Sequence, residues 1–148
     1  MIHIVLYQPE IPHNTGAVGR LCLATGACLH LIKPLGFSLE DKYLKRSGLD
    51  YWHEVDVHVW ESWEQLHQSA GNSAVFKFVE VQGTTTYWQA DLRSDEDVYL
   101  VYGPETRGIP ASIMALGQTL HIPMQGTRSL NLSTAVAITL YETVRQRS

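Results

Sequence analysis

The chain has 148 residues, of which 45% are apolar and 18% charged, and a formal net charge of −4. That length suits one domain able to bury roughly 68–70% of its unfolded surface. The acidic balance excludes a protein that coats nucleic acid indiscriminately, though not one with local basic patches, and no apolar run approaches the ~20 residues of a membrane span.

IHIVLY (2–7) is predicted to be a buried strand. Asn14 is then placed to cap a helix that runs through Leu23 and is closed by Gly26. CLHLI (28–32) is a second strand, after which Ser38-Leu39-Glu40-Asp41 opens a second helix with a capping-box pattern and Gly48 ends it. VDVHV (55–59) alternates as a third strand and precedes a helix near 61–69. AVFKFV (74–79) and VYLVY (98–102) are further strands, separated by a polar connection at 83–97 without clear order. A short helix near 110–115 leads to TLHI (119–122), and the last helix runs from about Leu132 to Arg145. This repetition predicts the α/β class: a mostly parallel sheet flanked by helices, in a single domain over 1–148.

In the last helix Leu132, Val136, Leu140 and Val144 recur every fourth residue, Ala135 and Ile138 widen the stripe, and no charge occurs before Glu142. Such a helix lies either in the core or in an oligomer interface. Cys22 and Cys28 sit in apolar contexts without CxxC or zinc spacing, which predicts two reduced core thiols. The histidines form no metal spacing, and His53 and His58 are expected to cap and line a strand. MIHIVLYQPE lacks a basic leader and a long apolar run, so the expected compartment is the cytoplasm.

Three loops carry the polar residues. PEIPHNTGAVGR (9–20) brings Asn14 and Arg20 to the start of the first helix, where free N–H groups can receive an anion. A cap and a surface arginine would look the same. YGPETRGIP (102–110) follows a strand and holds Glu105 and Arg107, a solvated pair or a functional one. Its G-x-x-x-x-G spacing ends in Ile109-Pro110, not in the Lys-Ser/Thr of a phosphate loop. In IPMQGTRSLNLSTAVA (122–137), Ser129 or Asn131 is expected to cap the last helix. Loops that follow parallel strands can converge at one sheet edge. Lys42, Lys45 and Arg46 share a face of the second helix, and with Arg20, Arg107 and Arg128 they suit a phosphate backbone.

Taken in order, NTGAVGR, GPETRGIP and IPMQGTRSLNLSTAVA resemble the three motifs of SPOUT-class RNA ribose methyltransferases. With PEIP and GLDY (48–51), the chain is most similar to the small tRNA (cytidine/uridine-34) 2′-O-methyltransferases along nearly its whole length. The resemblance implies S-adenosylmethionine as cofactor, tRNA as substrate, a homodimer and a C-terminal trefoil knot. It further implies that Phe78, Gly103, Ile122, Met124, Ser129 and Leu130 hold the cofactor. Arg20, Asn14, Glu105, Ser129 and Asn131 match the polar set linked with catalysis. After the fourth strand this chain has Val79-Glu80-Val81-Gln82 where family members carry Thr and Lys. Other expectations stay open: a different tRNA or rRNA position, or a non-catalytic nucleotide- or RNA-binding module.

Overall fold

The computed structural model describes residues 1–47 and 49–148, with the side chains of Lys45, Ser47, Leu49 and Asp50 outside the description. In chain order the elements are β1 (Ile2–Tyr7), α1 (Pro12–Thr25), β2 (Cys28–Ile32), α2 (Lys42–Ser47), a 3-10 turn (Leu49–Glu54), β3 (Val57–Trp60) and α3 (Trp63–Ala70). They continue with β4 (Val75–Val79), β5 (Thr85–Thr86), a 3-10 turn (Tyr87–Gln89), β6 (Val98–Tyr102), α4 (Ala111–Met114), β7 (Gln118–His121) and α5 (Leu132–Arg147). The strands form one sheet of order β3-β2-β1-β6-β4-β7-β5. Every pairing is parallel.

The charge-free central strands β1, β2 and β6 bury both faces, as parallel strands flanked by helices must. Ile4 pairs with Leu29 on one side and Leu100 on the other. These residues belong to the core layer beneath α1 and α5, with Val18, Cys22, Val136 and Leu140. Val5, Phe76, Phe78 and Val101 point the other way and pack with Trp63, Leu66 and Ile113 of α3 and α4. Alternation along each strand thus assigns the core to two layers.

Several boundaries differ from the sequence expectation. Pro12 occupies the first turn of α1 after an extended Ile11, so Asn14 is inside the helix and does not cap it. Its side chain is committed elsewhere, as described below. Gly26 does close α1, in the left-handed conformation at φ 76°. Ser38 instead closes a turn, accepting from the Glu40 N–H, and Asp41 starts α2 by accepting from the Tyr43 N–H at 2.7 Å. Gly48, expected to end that helix, is outside the described residues. The 83–97 connection contains β5, too short for alternation to register, and buries Ala90 and Leu92. The last segment of the connection binds α5: Leu92 N–H donates to Gln146 Oε1 and Arg147 donates to the Leu92 and Glu96 carbonyls.

On the α3 face a row of rings crosses β4, β6, β1, β2 and β3: Phe76, Tyr99, His3, His30 and His58, with centroids 4.1–5.3 Å apart. Trp60 Nε1 donates to His30 Nδ1 at 3.0 Å, which assigns the His30 proton to Nε2. That proton points at His3 Nδ1, 2.9 Å away, and His3 Nε2 lies 3.4 Å from Asp97. Burial, then the adjacent His3, pushes His30 down to about 3, so the His30 ring is neutral at pH 7. Donor atoms of His3, Cys28 and His30 lie within 4.8 Å of one another, a grouping that linear spacing does not reveal. Both cysteines are free thiols, pushed up to about 12, chiefly by burial.

Candidate functional site

The chain leaves β1 toward β2 on one side, whereas after β6 and α4 it continues to β7 on the other. This reversal opens a crevice at the carboxyl edge between β1 and β6, the place where open α/β sheets bind ligands. A cavity of about 370 Å³ occupies it. Its walls come from the segments that follow strands: Ile11 and Asn14 after β1, Val79 to Val81 at the end of β4, Gly103 to Glu105 and Arg107 after β6. Ile122, Met124, Ser129 to Leu132 and Ala135 complete it after β7.

A hydrogen-bond relay ties these segments together. Glu105 accepts the Glu10 and Ile11 backbone N–H groups at 2.8 and 3.0 Å and Asn14 Nδ2 at 3.1 Å. Asn14 Oδ1 in turn accepts from Asn131 Nδ2 at 2.9 Å. Asn131 caps α5, its Oδ1 accepting from the Ser133 N–H at 3.0 Å. A reciprocal clasp runs the other way: Glu10 accepts the Thr106 N–H and hydroxyl at 2.8 and 2.7 Å. Those bonds, with Arg107 3.7 Å away, hold the Glu10 carboxyl below its usual range. Glu105 also sits at the start of α1, where its carboxylate receives N–H groups of the first turn.

Of the residues expected from sequence, Asn14, Glu105, Ser129 and Asn131 meet at the cavity, as do Gly103, Ile122, Met124, Leu130 and Arg107. Phe78 does not. It is fully buried against Trp63 and Phe76, because side chains alternate along β4 and its neighbour Val79 takes the cavity side. Arg20 is also absent from the lining. It lies six residues beyond Asn14, about 9 Å along the helix and about 120° around it, exposed and with Cζ 5.7 Å from the centre of the Tyr51 ring. Lys42 and Arg46 stand beside the exposed ring of Tyr43, at 5.2 and 5.8 Å, while the Lys45 side chain lies outside the described residues. Arg128 lines an adjoining groove that shares Val81, Ile122 and Met124 with the cavity.

Glu80 also lines the cavity, though it belongs to none of the three motif loops. Its Oε1 accepts the Ile109 N–H at 2.9 Å, fastening the loop after β4 to the loop after β6. The only sequence signal was the departure from the family pattern at 79–82. Glu10 sits in a recognised motif, but its partner is 96 residues away and no local rule points to it.

The chain aligns from end to end with known methyltransferases. The sequence profile of the SpoU rRNA Methylase family matches residues 1–141. The chain belongs to this family. A tRNA (cytidine(34)-2′-O)-methyltransferase of Methylovorus glucosotrophus is 46% identical over 150 residues, covering 99% of this chain and 96% of the relative. A structure described as giving insights into the 2-OH methylation of C/U34 on tRNA superposes with a TM-score of 0.93 at 46% identity, covering 99% and 95% of the two chains. The SpoU methyltransferase AviRb of Streptomyces viridochromogenes, in complex with AdoMet, superposes with a TM-score of 0.82 at 27% identity, covering 98% of this chain and 60% of AviRb. No helix among the described residues is long and apolar enough to cross a membrane.

Proposed function

We propose that the chain is an S-adenosylmethionine-dependent tRNA 2′-O-methyltransferase acting on the pyrimidine at position 34. The observation that carries this reading is the Glu105–Asn14–Asn131 relay, which closes three motif loops around one cavity. The full-length relative is named for that reaction, and the cavity volume falls in the range of roughly 300–1,000 Å³ for small-ligand sites. Its mixture of apolar walls (Val79, Ile122, Leu130, Leu132) and polar backbone around Gly103 fits a cofactor with a flat base and a charged amino-acid end. When bound, S-adenosylmethionine supplies an electrophilic methyl group.

The protein's task is to present the ribose 2′-hydroxyl in line and to disperse its proton. Correct placement contributes up to ~7–11 kcal/mol. Ser129, Leu130 and the Gly103 backbone hold the cofactor, while Asn14 and Asn131 keep the walls in register. Glu105 already accepts three N–H donors, so it acts as the clasp of the loops and the proton passes to water. Arg20 holds the adjacent phosphate and polarises the hydroxyl, a task suited to a planar guanidinium that does not release its own proton. Arg20 is outside the lining of its own chain's cavity, a placement that suits service to the cavity of a second copy.

The working form on this reading is a homodimer. α1 and α5 pack on each other, and Leu23 of α1 and Tyr141 of α5 are exposed, at 37% and 48%. The chain acts as one domain, 1–148, in the cytoplasm. Its C-terminal region is read as the family's trefoil knot, with α5 bonded to Tyr102 through Thr139 and to the 90–96 segment through Gln146 and Arg147. Lys42, Lys45, Arg46, Arg107 and Arg128 receive the tRNA backbone.

The test is methyl transfer to tRNA transcripts that differ only at position 34. Label is expected at C34 or U34 and is expected to vanish when that nucleotide lacks its 2′-hydroxyl. Transfer that survives the 2′-deoxy substitution would move the target elsewhere. Cofactor binding without transfer to any RNA would identify a binding module.

A further inference from the structure

We propose that Tyr51 is a positioning residue for Arg20, held in place by the seating of Trp52 on Gly19. The inference rests on the reading of Arg20 given above. Arg20 is exposed, and the residues three and four positions away on α1 are Gly16, Ala17, Leu23 and Ala24, none of which can pair with a guanidinium. Its direction therefore has to be set from outside the helix. Left alone, such a side chain keeps rotamer entropy that binding would have to remove.

The outside contact is supplied by the 3-10 turn Leu49–Glu54. A Cβ on Gly19 would lie 2.7 Å from Trp52 Cζ3 and 2.9 Å from Cε3, so the indole rests directly on the helix backbone, where only glycine leaves room. Trp52 and Val55 also pack on the core layer under α1, and the Val55 N–H closes the turn onto the Trp52 carbonyl at 3.1 Å. Gly19 adjoins Arg20 and Trp52 adjoins Tyr51, so one buried contact fixes the next one, at the surface. There Arg20 Cζ stands 5.7 Å from the Tyr51 ring centre.

A ring is the right partner for this arginine. A carboxylate would consume the guanidinium N–H donors and cancel its charge. An aromatic ring orients the cation while leaving those donors free for phosphate oxygens. Placement errors near 1 Å can cost about a hundredfold in rate, so a contact worth little in stability can matter greatly in turnover.

The test compares Tyr51→Ala, Tyr51→Phe, Gly19→Ala and Arg20→Ala for kcat and KM with tRNA, cofactor affinity by calorimetry, and Tm. Tyr51→Ala is expected to lower kcat by about tenfold or more while KM, cofactor affinity and Tm stay near wild type. Tyr51→Phe should restore kcat, because it restores the ring. Gly19→Ala should reproduce the kcat loss by displacing Trp52. Wild-type kcat in Tyr51→Ala beside an inactive Arg20→Ala would overturn the positioning role alone. So would a change confined to KM, or a rate loss matched by a fall in Tm. Full activity in Arg20→Ala would instead remove the reading of Arg20 on which the inference stands.

Discussion

Two side chains show how much depends on the hydrogen bonds a residue makes. Glu105 accepts from Glu10, Ile11 and Asn14 at once, so it orders two loops with one carboxylate. Glu105→Gln puts an NH₂ group against N–H donors. We expect weaker cofactor binding and a lower kcat together, with stability lower by about 1–3 kcal/mol, measurable by calorimetry and denaturant titration. His30 is the second case. Unfolded it titrates near 6.5, folded at about 3, so between those values the unfolded state binds more protons. Its contribution to stability is complete above about pH 6.5 and is lost as the pH falls toward 3. Unfolding free energy should drop by about 1–2 kcal/mol from pH 7 to 5 on this account. His30→Gln should flatten that limb while lowering stability at neutral pH.

Among the elements, α5 couples the site to the core. Its inner side is not a purely apolar stripe: Thr139 and Thr143 are buried beside Val136 and Leu140. Each threonine bonds the carbonyl four residues earlier, and Thr139 also meets the Tyr102 hydroxyl at 2.5 Å. That bond connects α5 to the last residue of β6, next to Gly103 of the cavity. Thr139→Val keeps the shape but strands the Tyr102 hydroxyl, at a cost of about 1–3 kcal/mol, or a few degrees of Tm at roughly 2–4 °C per kcal/mol. The double variant Thr139→Val/Tyr102→Phe should lose much less than the sum of the singles, because no buried hydroxyl is left unpaired. Additive losses in thermal denaturation would show that the pair does not interact.

For the whole molecule, charge and surface act at a distance from the chemistry. A chain of net charge −4 binds an anion through local fields. Removing Lys42 and Arg46, which flank exposed Tyr43, should flatten the salt dependence of tRNA binding by roughly 0.7–0.9 per lost phosphate contact, leaving cofactor affinity unchanged. An unaltered slope in filter-binding titrations would mean a merely solvated face. Tyr141 is 48% exposed on α5. Tyr141→Asp should leave the fold of the single chain intact, yet yield monomers by sedimentation and abolish methylation. An active monomer would contradict the shared-site arrangement.

The sequence by itself determined six of the seven strands and most helices, since hydrophobic periodicity and turn residues are local. It also determined the three motif loops, whose order along the chain is specific. It could not assign partners. Asn14 has the composition of a helix cap, but Pro12 starts α1 and frees the Asn14 amide for Glu105 and Asn131, 91 and 117 residues away. Phe78 and Val79 are both apolar and adjacent, and only the register of β4 beside β6 and β7 decides which one faces the cavity. β5 exists because Thr85 and Thr86 meet Leu120 and His121, not because two threonines prefer a strand. Trp52 finds its place on Gly19 for the same reason. Local preferences act within a few residues, whereas the site is made by contacts between segments that only the closed sheet brings together.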